Sequence, residues 1–526
     1  MNVRLGLAPI LAAFLLVGGP GSPLQAAEEA TPSNVSPAPE VPAPEVPSPP
    51  APRPDIVVIY MDDFSPLAAS LWSRRSRTPA LARFVDEGIE LNASASTPLC
   101  CPARGNLLTG RYGHRNGITR IDMRDFDPAQ TIAVDLQAAG YHTAYVGKFL
   151  NTLSRWAPDR NSVRAYAQGW DDFDVIWEYQ GRFYDYRLWT REGVRRHGGA
   201  ARDHSSRVAG QRAARRIRSA PEDEPLFMIV SLYDGHPPFT PMARFEGHPA
   251  CRGVTPWAGP SYDEGDVADK PRFVRTRARL ADRAYSLRRR CEAVLTVDWV
   301  AQRVIRALEA AGRLDDTLIV FTADNGVLMG EHRLTSKGYP YSTPVPMYAW
   351  WPARWGRTGR TIREPVQNVD LAPTFCHLAG CAFTDNDGME LTPLLDGEVD
   401  RLERTFVYEE LLHPGPLWPD PRAAPAWYGI RTTLAYSDVP WVYTEYASGE
   451  MELYDLSADP FQLTNLAGEA AHAAVQAELR AMLHDGVVGP RDVRFSEIPS
   501  SQGSAGVRPR SAGRQPPRSG PRSRSR

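Results

Sequence analysis

Eleven consecutive residues, Cys100-Cys101-Pro102-Ala103-Arg104-Gly105-Asn106-Leu107-Leu108-Thr109-Gly110, put a reactive side chain, a proline and an arginine ahead of an apolar pair and a Thr-Gly stop. Such a stretch reads as a turn feeding the first turns of a helix. A side chain at that junction faces the helix N-terminus, where unpaired N–H groups and the helix dipole favour anions, and Arg104 adds a forked positive charge on the same turn. The chemistry this arrangement can do is the handling of an oxyanion. Taken alone, the motif favours a buried cysteine in a helix cap over a reactive one.

Other residues extend the case. Asp62-Asp63 follows the apolar run DIVVIYM, and Asp324-Asn325 follows TLIVFT almost directly. Three carboxylates and an amide oxygen brought together make a hard-oxygen cage suited to Ca²⁺, with Mg²⁺ as the alternative, rather than to zinc, which prefers His or Cys. Of 60 Lys plus Arg residues only Lys148, Lys270 and Lys337 are lysine. Lys148 ends an apolar run in Gly147-Lys148-Phe149-Leu150-Asn151, and Lys337 lies just past Asp324-Asn325. A compact ammonium can approach a small anion or a leaving group where the wide guanidinium fork cannot. Lys270 stands in a charged loop and is read as having no role. His236, in His236-Pro237-Pro238-Phe239 after LFMIVSL, can hydrogen-bond or protonate the bridging oxygen of an ester. His332 and His114 are weaker candidates, for a pocket rim or for structure.

These residues need elements to hold them. Asp55–Met61, Thr143–Gly147, Leu226–Leu232 and Thr317–Thr322 are short β-branched apolar runs of the kind found in strands buried on both faces. Helix-period segments lie between them. The clearest, Leu287–Ala311, carries an apolar stripe of Leu287, Cys291, Val294, Ala301, Val304, Ile305 and Leu308 and stops at Gly312. Strands alternating with helices imply an α/β sheet covered on both faces, with its sites at the carboxyl ends of the strands. After about Asp400 the texture changes to short aromatic strands (Phe406–Tyr408, Trp441–Tyr446, Met451–Tyr454), a small antiparallel subdomain.

At 526 residues, 42% hydrophobic, the chain can bury a large core. Residues 1–27 run from Arg4 through the apolar Leu5–Val17 to Ala26-Ala27 and read as a secretory signal peptide, too short to serve as a stable membrane anchor. The stretch 28–54 is a proline-rich linker, 55–400 the α/β catalytic domain, 401–488 the C-terminal subdomain, and 489–526 an Arg/Ser/Pro-rich tail expected to be disordered. Seven arginines, from Arg508 to Arg526, fall in an acid-free stretch of that tail; without them the formal charge drops from −2 to −9. So acidic a body is a poor nucleic-acid binder, and any site for an anionic substrate must be local. Of the six cysteines, Cys376 and Cys381 are the most plausible disulfide pair by separation, although connectivity is not deducible from spacing.

Cys-x-Pro-x-Arg followed by Thr-Gly resembles the signature of the formylglycine-dependent (type I) sulfatases, and the resemblance runs from Pro54 to about Gly468. Asp62, Asp63, Cys100, Arg104, Lys148, His236, Asp324, Asn325 and Lys337 stand in the family's order, and Tyr454-Asp455-Leu456, Asp459-Pro460 and Asn465-Leu466 look like its closing signature. Cys100-Cys101-Pro102, Gly147–Asn151 and Gly169-Trp170 are most similar to glucosamine-6-sulfatases and extracellular heparan endosulfatases. The sequence departs from the pattern at Leu150, where many arylsulfatases carry histidine; His114 is the candidate substitute.

The resemblance implies an alkaline-phosphatase-like mixed sheet flanked by helices, with a small antiparallel α+β subdomain at the C-terminus. It implies that Cys100 is oxidised to formylglycine by a formylglycine-generating enzyme before folding, and that Asp62, Asp63, Asp324, Asn325 and the modified Cys100 hold a divalent cation. One hydroxyl of the hydrated aldehyde would attack sulfur and take the sulfate covalently; the other would expel it. Arg104 and Lys148 would steady the nucleophile, Lys337 and His236 would bind the sulfate and protonate the leaving oxygen, and Asn151 and His332 would line the pocket. The expected substrate is a sulfate monoester, a small molecule or a glycan, met outside the cell with no nucleic acid and no membrane anchor involved. Two alternatives stay open: a phosphodiesterase or phosphonate monoester hydrolase on the same fold, and an inactive secreted polyanion-binding protein.

Overall fold

The computed structural model of the chain describes residues 53–66, 77–177, 182–254, 259–280, 284–414 and 423–486. The expected signal peptide, most of the linker and the Arg-rich tail lie outside the described residues. Four strands, β1 (Asp55–Met61), β3 (His142–Gly147), β7 (Leu226–Ser231) and β8 (Thr317–Ala323), are the apolar runs seen in the sequence, within a residue at their ends. All are buried along nearly their whole length, which is why they show no period-two alternation. Six more complete the large sheet: β2 (Ile89–Ser94), β4 (Asp172–Ile176), β5 (Tyr186–Thr190), β6 (Gly193–His197), β9 (Met347–Trp350) and β10 (Arg360–Gln367). Their order is β10-β2-β9-β8-β1-β7-β3-β4-β5-β6. The central β8-β1-β7-β3-β4 are parallel neighbours, while β9 and β5 run against them and β6 turns back antiparallel to β5, so the sheet is mixed.

Two groups of helices cover this sheet. Ala284–Ala310 packs with Ser205–Ser219 and Pro79–Glu87, and Leu371–Ala379 packs with Cys100–Thr109 and Ile132–Ala138. Strands β11 (Phe406–Leu411), β12 (Trp427–Thr432), β13 (Trp441–Tyr446) and β14 (Met451–Asp455) form a separate antiparallel sheet, followed by helix Ala473–Gly486. The last strand of the large sheet closes at Gln367 and the small sheet opens at Phe406. The disulfide Cys376–Cys381 forms as expected, and a second, Cys251–Cys291, joins residues forty apart; Cys100 and Cys101 stay free.

Because β8, β1, β7 and β3 are parallel neighbours, their carboxyl ends lie side by side. Asp324-Asn325, Asp62-Asp63, His236 and Lys148 therefore emerge on one edge of the sheet. The backbone there is tight enough to demand glycine. A Cβ on Gly235 would lie 2.0 Å from the carbonyl oxygen of Asp62, and one on Gly147 would lie 1.9 Å from that of Ser231, both at positive φ.

Candidate active site

Cys100 is the first residue of helix Cys100–Thr109, all ten residues of which are buried, and Gly110 in the left-handed region ends it. Side-chain amides anchor the helix to the sheet: Asn368 donates to the Ala103 carbonyl at 2.9 Å, and Asn106 donates to Ser96 at 2.7 Å. The helix start is thereby fixed over the strand ends.

Around it, three carboxylates face three cations. Lys148 is ion-paired with Asp62, and Lys337 with Asp63. Arg104 Nε donates to Asp324 Oδ2 at 2.8 Å, its Nη1 donates to Ser231 Oγ at 2.5 Å, and its guanidinium carbon lies 4.8 Å from the centre of the Tyr60 ring. Lys337 Nζ also lies 3.1 Å from Cys100 Sγ and 3.3 Å from Asn325 Oδ1. Lys148 Nζ sits 5.2 Å from the centre of the Tyr233 ring. Every one of these ionic groups is at least 95% buried.

Burial alone would push the two ammonium groups down, but the facing carboxylates outweigh it and hold Lys148 and Lys337 above the usual lysine range. Burial likewise favours a neutral Asp62, and the combined fields of Lys148, His236, Lys337 and Arg104 reverse that and hold its carboxyl well below the usual range. The Cys100 thiol is pushed up by burial, against the pull of Lys148 and Lys337.

Ligand atoms of Asp62, Asp63 and Cys100 lie within 4.8 Å of one another, the only such group among the described residues. Asn325 Oδ1 joins them around the Lys337 ammonium. Asp62 Oδ1 is buried and accepts no hydrogen bond among the described residues, although Lys337 Nζ lies 4.0 Å away. Asp324 is oriented by its neighbours, its Oδ1 accepting the backbone N–H of Asn325 at 2.8 Å and its Oδ2 held by Arg104, and Oδ2 keeps a further lone pair. With carboxylates and cations equal in number, a divalent ion would leave a surplus of positive charge, which suits an anionic ester. The donor set is thus one a hard cation fits.

Sequence reasoning pointed to other residues that the fold places differently. Lys270, read as a charged-loop residue, is fully buried; its ammonium bonds Asp269 at 2.8 Å and the Leu463 carbonyl at 2.5 Å, tying the loop to the C-terminal sheet region. His114 is held by Glu410 of β11 at 2.9 Å and stacks on Tyr112. His332 is buried, bonded to Glu264 at 2.6 Å and packed on Tyr341. Neither histidine bonds Cys100 among the described residues. Asn151 has a buried side-chain oxygen with no partner among the described residues, and its backbone N–H donates to the Cys101 sulfur. His236 is half-buried, its ring engaged with the Pro237 carbonyl at 2.7 Å. Tyr60, Ser231 and Tyr233 were not anticipated; all three sit at the carboxyl ends of β1 and β7, so the strand-end rule could have flagged them.

The site opens to a cavity of about 290 Å³ lined by Leu99, Pro237, Arg277, Lys337, Tyr339 and Leu411 among others. A larger cavity, about 710 Å³, lies between β2, β10 and the C-terminal sheet, away from Cys100 and the paired charges; the smaller one, which touches Lys337, is where chemistry can occur.

Comparison with known proteins agrees with this architecture. Residues 54–381 match the model of the sulfatase family, and residues 330–487 match that of the N-sulphoglucosamine sulphohydrolase C-terminal region. Human N-acetylglucosamine-6-sulfatase is 26% identical over 459 residues, covering 79% of this chain and 81% of its own, and an arylsulfatase of Volvox carteri is 28% identical over 495 residues, covering 82% and 74%. Among solved structures, one in complex with its substrate D-glucosamine-2-N,6-O-disulfate superposes with a TM-score of 0.66 at 24% identity, covering 83% of this chain and 97% of that one. The phosphonate monoester hydrolase of Agrobacterium radiobacter superposes at 0.61 with 22% identity, covering 82% and 95%. The shared fold is the alkaline-phosphatase-like one, and with the first family match spanning more than half of the chain, this protein is an enzyme of the sulfatase family.

Proposed function

We propose that the enzyme hydrolyses carbohydrate sulfate monoesters, with Cys100 converted to formylglycine and a divalent cation held by Asp62, Asp63, Asn325 and Asp324. The observation that carries the reading is the convergence on Cys100 of Lys337, Asp62 and Asp63, with Lys337 also lining a pocket of about 290 Å³, near the roughly 300 Å³ at which ligand pockets begin. A cation bound there supplies Lewis-acid polarisation of the sulfate oxygens. The chain's own groups do the rest. Lys337 contacts residue 100 directly and is placed to donate to an oxygen of the ester. Lys148 and Arg104, locked by Asp62 and Asp324, supply fixed positive charge that needs no reorganisation as the oxyanion develops. His236, half-buried at the rim, is placed to protonate the departing alcohol. The sugar then rests against Leu99, Tyr339 and Leu411, with Arg277 as a polar contact.

Cys100 is only 2% exposed, so a modifying enzyme reaches it only before the chain folds. Export through a signal peptide accords with the two disulfides and with relatives such as the extracellular sulfatase SULF-1 homolog of Drosophila melanogaster; no helix among the described residues is long and apolar enough to cross a membrane. Mass spectrometry of the peptide bearing Cys100 tests the modification: a retained thiol removes the nucleophile and leaves the inactive-protein alternative.

Sulfate release from a panel of glucosamine 6-sulfate, glucosamine N-sulfate, nitrophenyl sulfate and a phosphonate monoester tests the substrate. A sugar sulfate is expected to be turned over with the highest kcat/KM. Inert sugars beside rapid hydrolysis of the aryl sulfate or the phosphonate would overturn the reading.

The metal is tested separately. Elemental analysis is expected to find about one Ca²⁺ or Mg²⁺ per folded chain, lost in Asp62→Asn, because that substitution removes a buried anionic ligand. Stoichiometric zinc, or full metal content in Asp62→Asn, would refute the all-oxygen cage.

A further inference from the structure

Helix Ser205–Ser219 carries arginines of two kinds. Arg212 and Arg216 turn toward the sheet and are neutralised, Arg212 by Asp174 at 2.9 Å and Arg216 by Asp172 at 2.7 Å. Arg207 and Arg218 are three turns apart, about 16 Å along the axis, and share a different face. There they meet Arg303 and Arg306 of helix Ala284–Ala310, one turn apart. The two helices approach closely at Gly210, where an added Cβ would touch Trp299 and Val300 at 3.2 and 3.3 Å, and Arg303 stacks on the Trp299 ring at 4.9 Å. None of Arg207, Arg218, Arg303 and Arg306 has a carboxylate partner among the described residues, and the Nε atoms of Arg207 and Arg303 are solvent-shielded without a hydrogen bond. The guanidinium of Arg303 is pushed down by burial and then by the positive charge of Arg218, Arg207 and Arg306.

Four like charges held together without counterions are unfavourable in the free protein, and all the more conspicuous in a chain whose charge is −9 without its tail. Their place in the fold gives them a use. Arg207 directly follows Ser206, whose hydroxyl bonds Asp234, and His204 bonds the Thr240 carbonyl at 2.9 Å. The loop so held, 234–240, carries His236. The row of arginines therefore starts beside the active-site rim and runs down the flank of the domain.

We propose that Arg207, Arg218, Arg303 and Arg306 form an exosite for a sulfated polysaccharide, engaging sulfate groups of the same chain whose ester is cleaved at Cys100. This rests on the carbohydrate-sulfate reading. Guanidinium groups bind such oxyanions in bidentate fashion, and a second attachment raises the local concentration of substrate at the catalytic pocket. A sulfated glycan accords with the site's own substrate chemistry, whereas the negative charge of the remaining surface opposes the denser charge of duplex nucleic acid.

The test uses the full chain with R218E/R306E, two exposed positions, so that folding is not at stake. The catalytically silent Cys100→Ala background serves for binding, with heparin as the probe. The variant is expected to leave heparin-agarose at lower salt than its parent. In the active background it should raise KM on a polymeric sulfated glycan about tenfold, with kcat on the polymer and kcat/KM on nitrophenyl sulfate unchanged. Equal retention of parent and variant overturns the exosite, as does binding of duplex DNA or of anionic vesicles as tight as heparin at the same salt. Wild-type enzyme inert on every glycan overturns the substrate reading instead, and retention of the Cys100→Ala pair still decides whether these arginines bind the sulfated chain.

Discussion

Cys100→Ala is expected to abolish turnover of an aryl sulfate, a loss of at least about a thousandfold, while Cys101→Ala keeps most of it. The two cysteines are adjacent and buried alike, so the contrast tests position and not composition. Cys100 touches Lys337 at 3.1 Å and shares a ligand group with Asp62 and Asp63. Cys101, one helical position on, points into the hydrophobic core, where burial pushes its thiol up to about 12. Replacing it with alanine removes one sulfur from the core, at a cost of about 1 kcal/mol of stability and little of kcat. Both variants are assayed on nitrophenyl sulfate after their melting temperatures have been matched to the wild type. Survival of Cys100→Ala, or equal loss in both, would overturn the assignment.

Lys148→Arg and Lys337→Arg are each expected to lower kcat by about a hundredfold or more, the scale of losing one positioned electrostatic or acid–base group. Charge is conserved in both, so the effect has to come from shape. Each lysine is at least 95% buried and fills its space against a carboxylate, and Lys337 also meets Cys100 and Asn325. A guanidinium is wider than an ammonium, so it either displaces the carboxylates from the cation cage or projects into the space that the ester needs. Lys337→Arg should suffer less with nitrophenyl sulfate than with an alkyl or sugar sulfate, since only a poor leaving group needs a proton. The third lysine gives the control. From its place in a charged loop Lys270→Arg would be silent, but a fully buried ammonium bonded to Asp269 and Leu463 has no room for the larger head group. Lys270→Arg is therefore expected to lose about 1–3 kcal/mol of stability with kcat unchanged. Wild-type kcat in both Lys148→Arg and Lys337→Arg would mean that the scarcity of lysine has no bearing on the site.

The parts of this protein that are local, or that chemistry constrains to certain residue types, are legible in the order of its amino acids. Strands β1, β3, β7 and β8 were legible because a parallel strand buried on both faces must be apolar throughout, and their ends followed from where that run stops. Asp62, Asp63, Lys148, Asp324 and Asn325 were legible because polar residues directly after such runs sit at strand ends, and helix Cys100–Thr109 because its Gly110 stop is written in the chain. Edge strand β6 was missed: it closes one side of the sheet, and its exposed residues include arginines that read as a loop.

Which residues meet is set by long-range packing. Lys148 pairs with Asp62, Lys337 with Asp63 and Arg104 with Asp324 because of the order β8-β1-β7-β3, which no periodicity encodes. The antiparallel insertion of β9 between β2 and β8, the Cys251–Cys291 disulfide and the burial of Lys270 likewise depend on contacts between residues distant in the chain. The unpaired arginine row has the same origin. Arg207, Arg212, Arg216 and Arg218 are indistinguishable in a sequence of so many arginines, and only the packing of one helix against a sheet on one side and a second helix on the other gives two of them carboxylates and leaves two beside more arginine. Side-chain type is a local property, but the partner that neutralises a charge is fixed by topology.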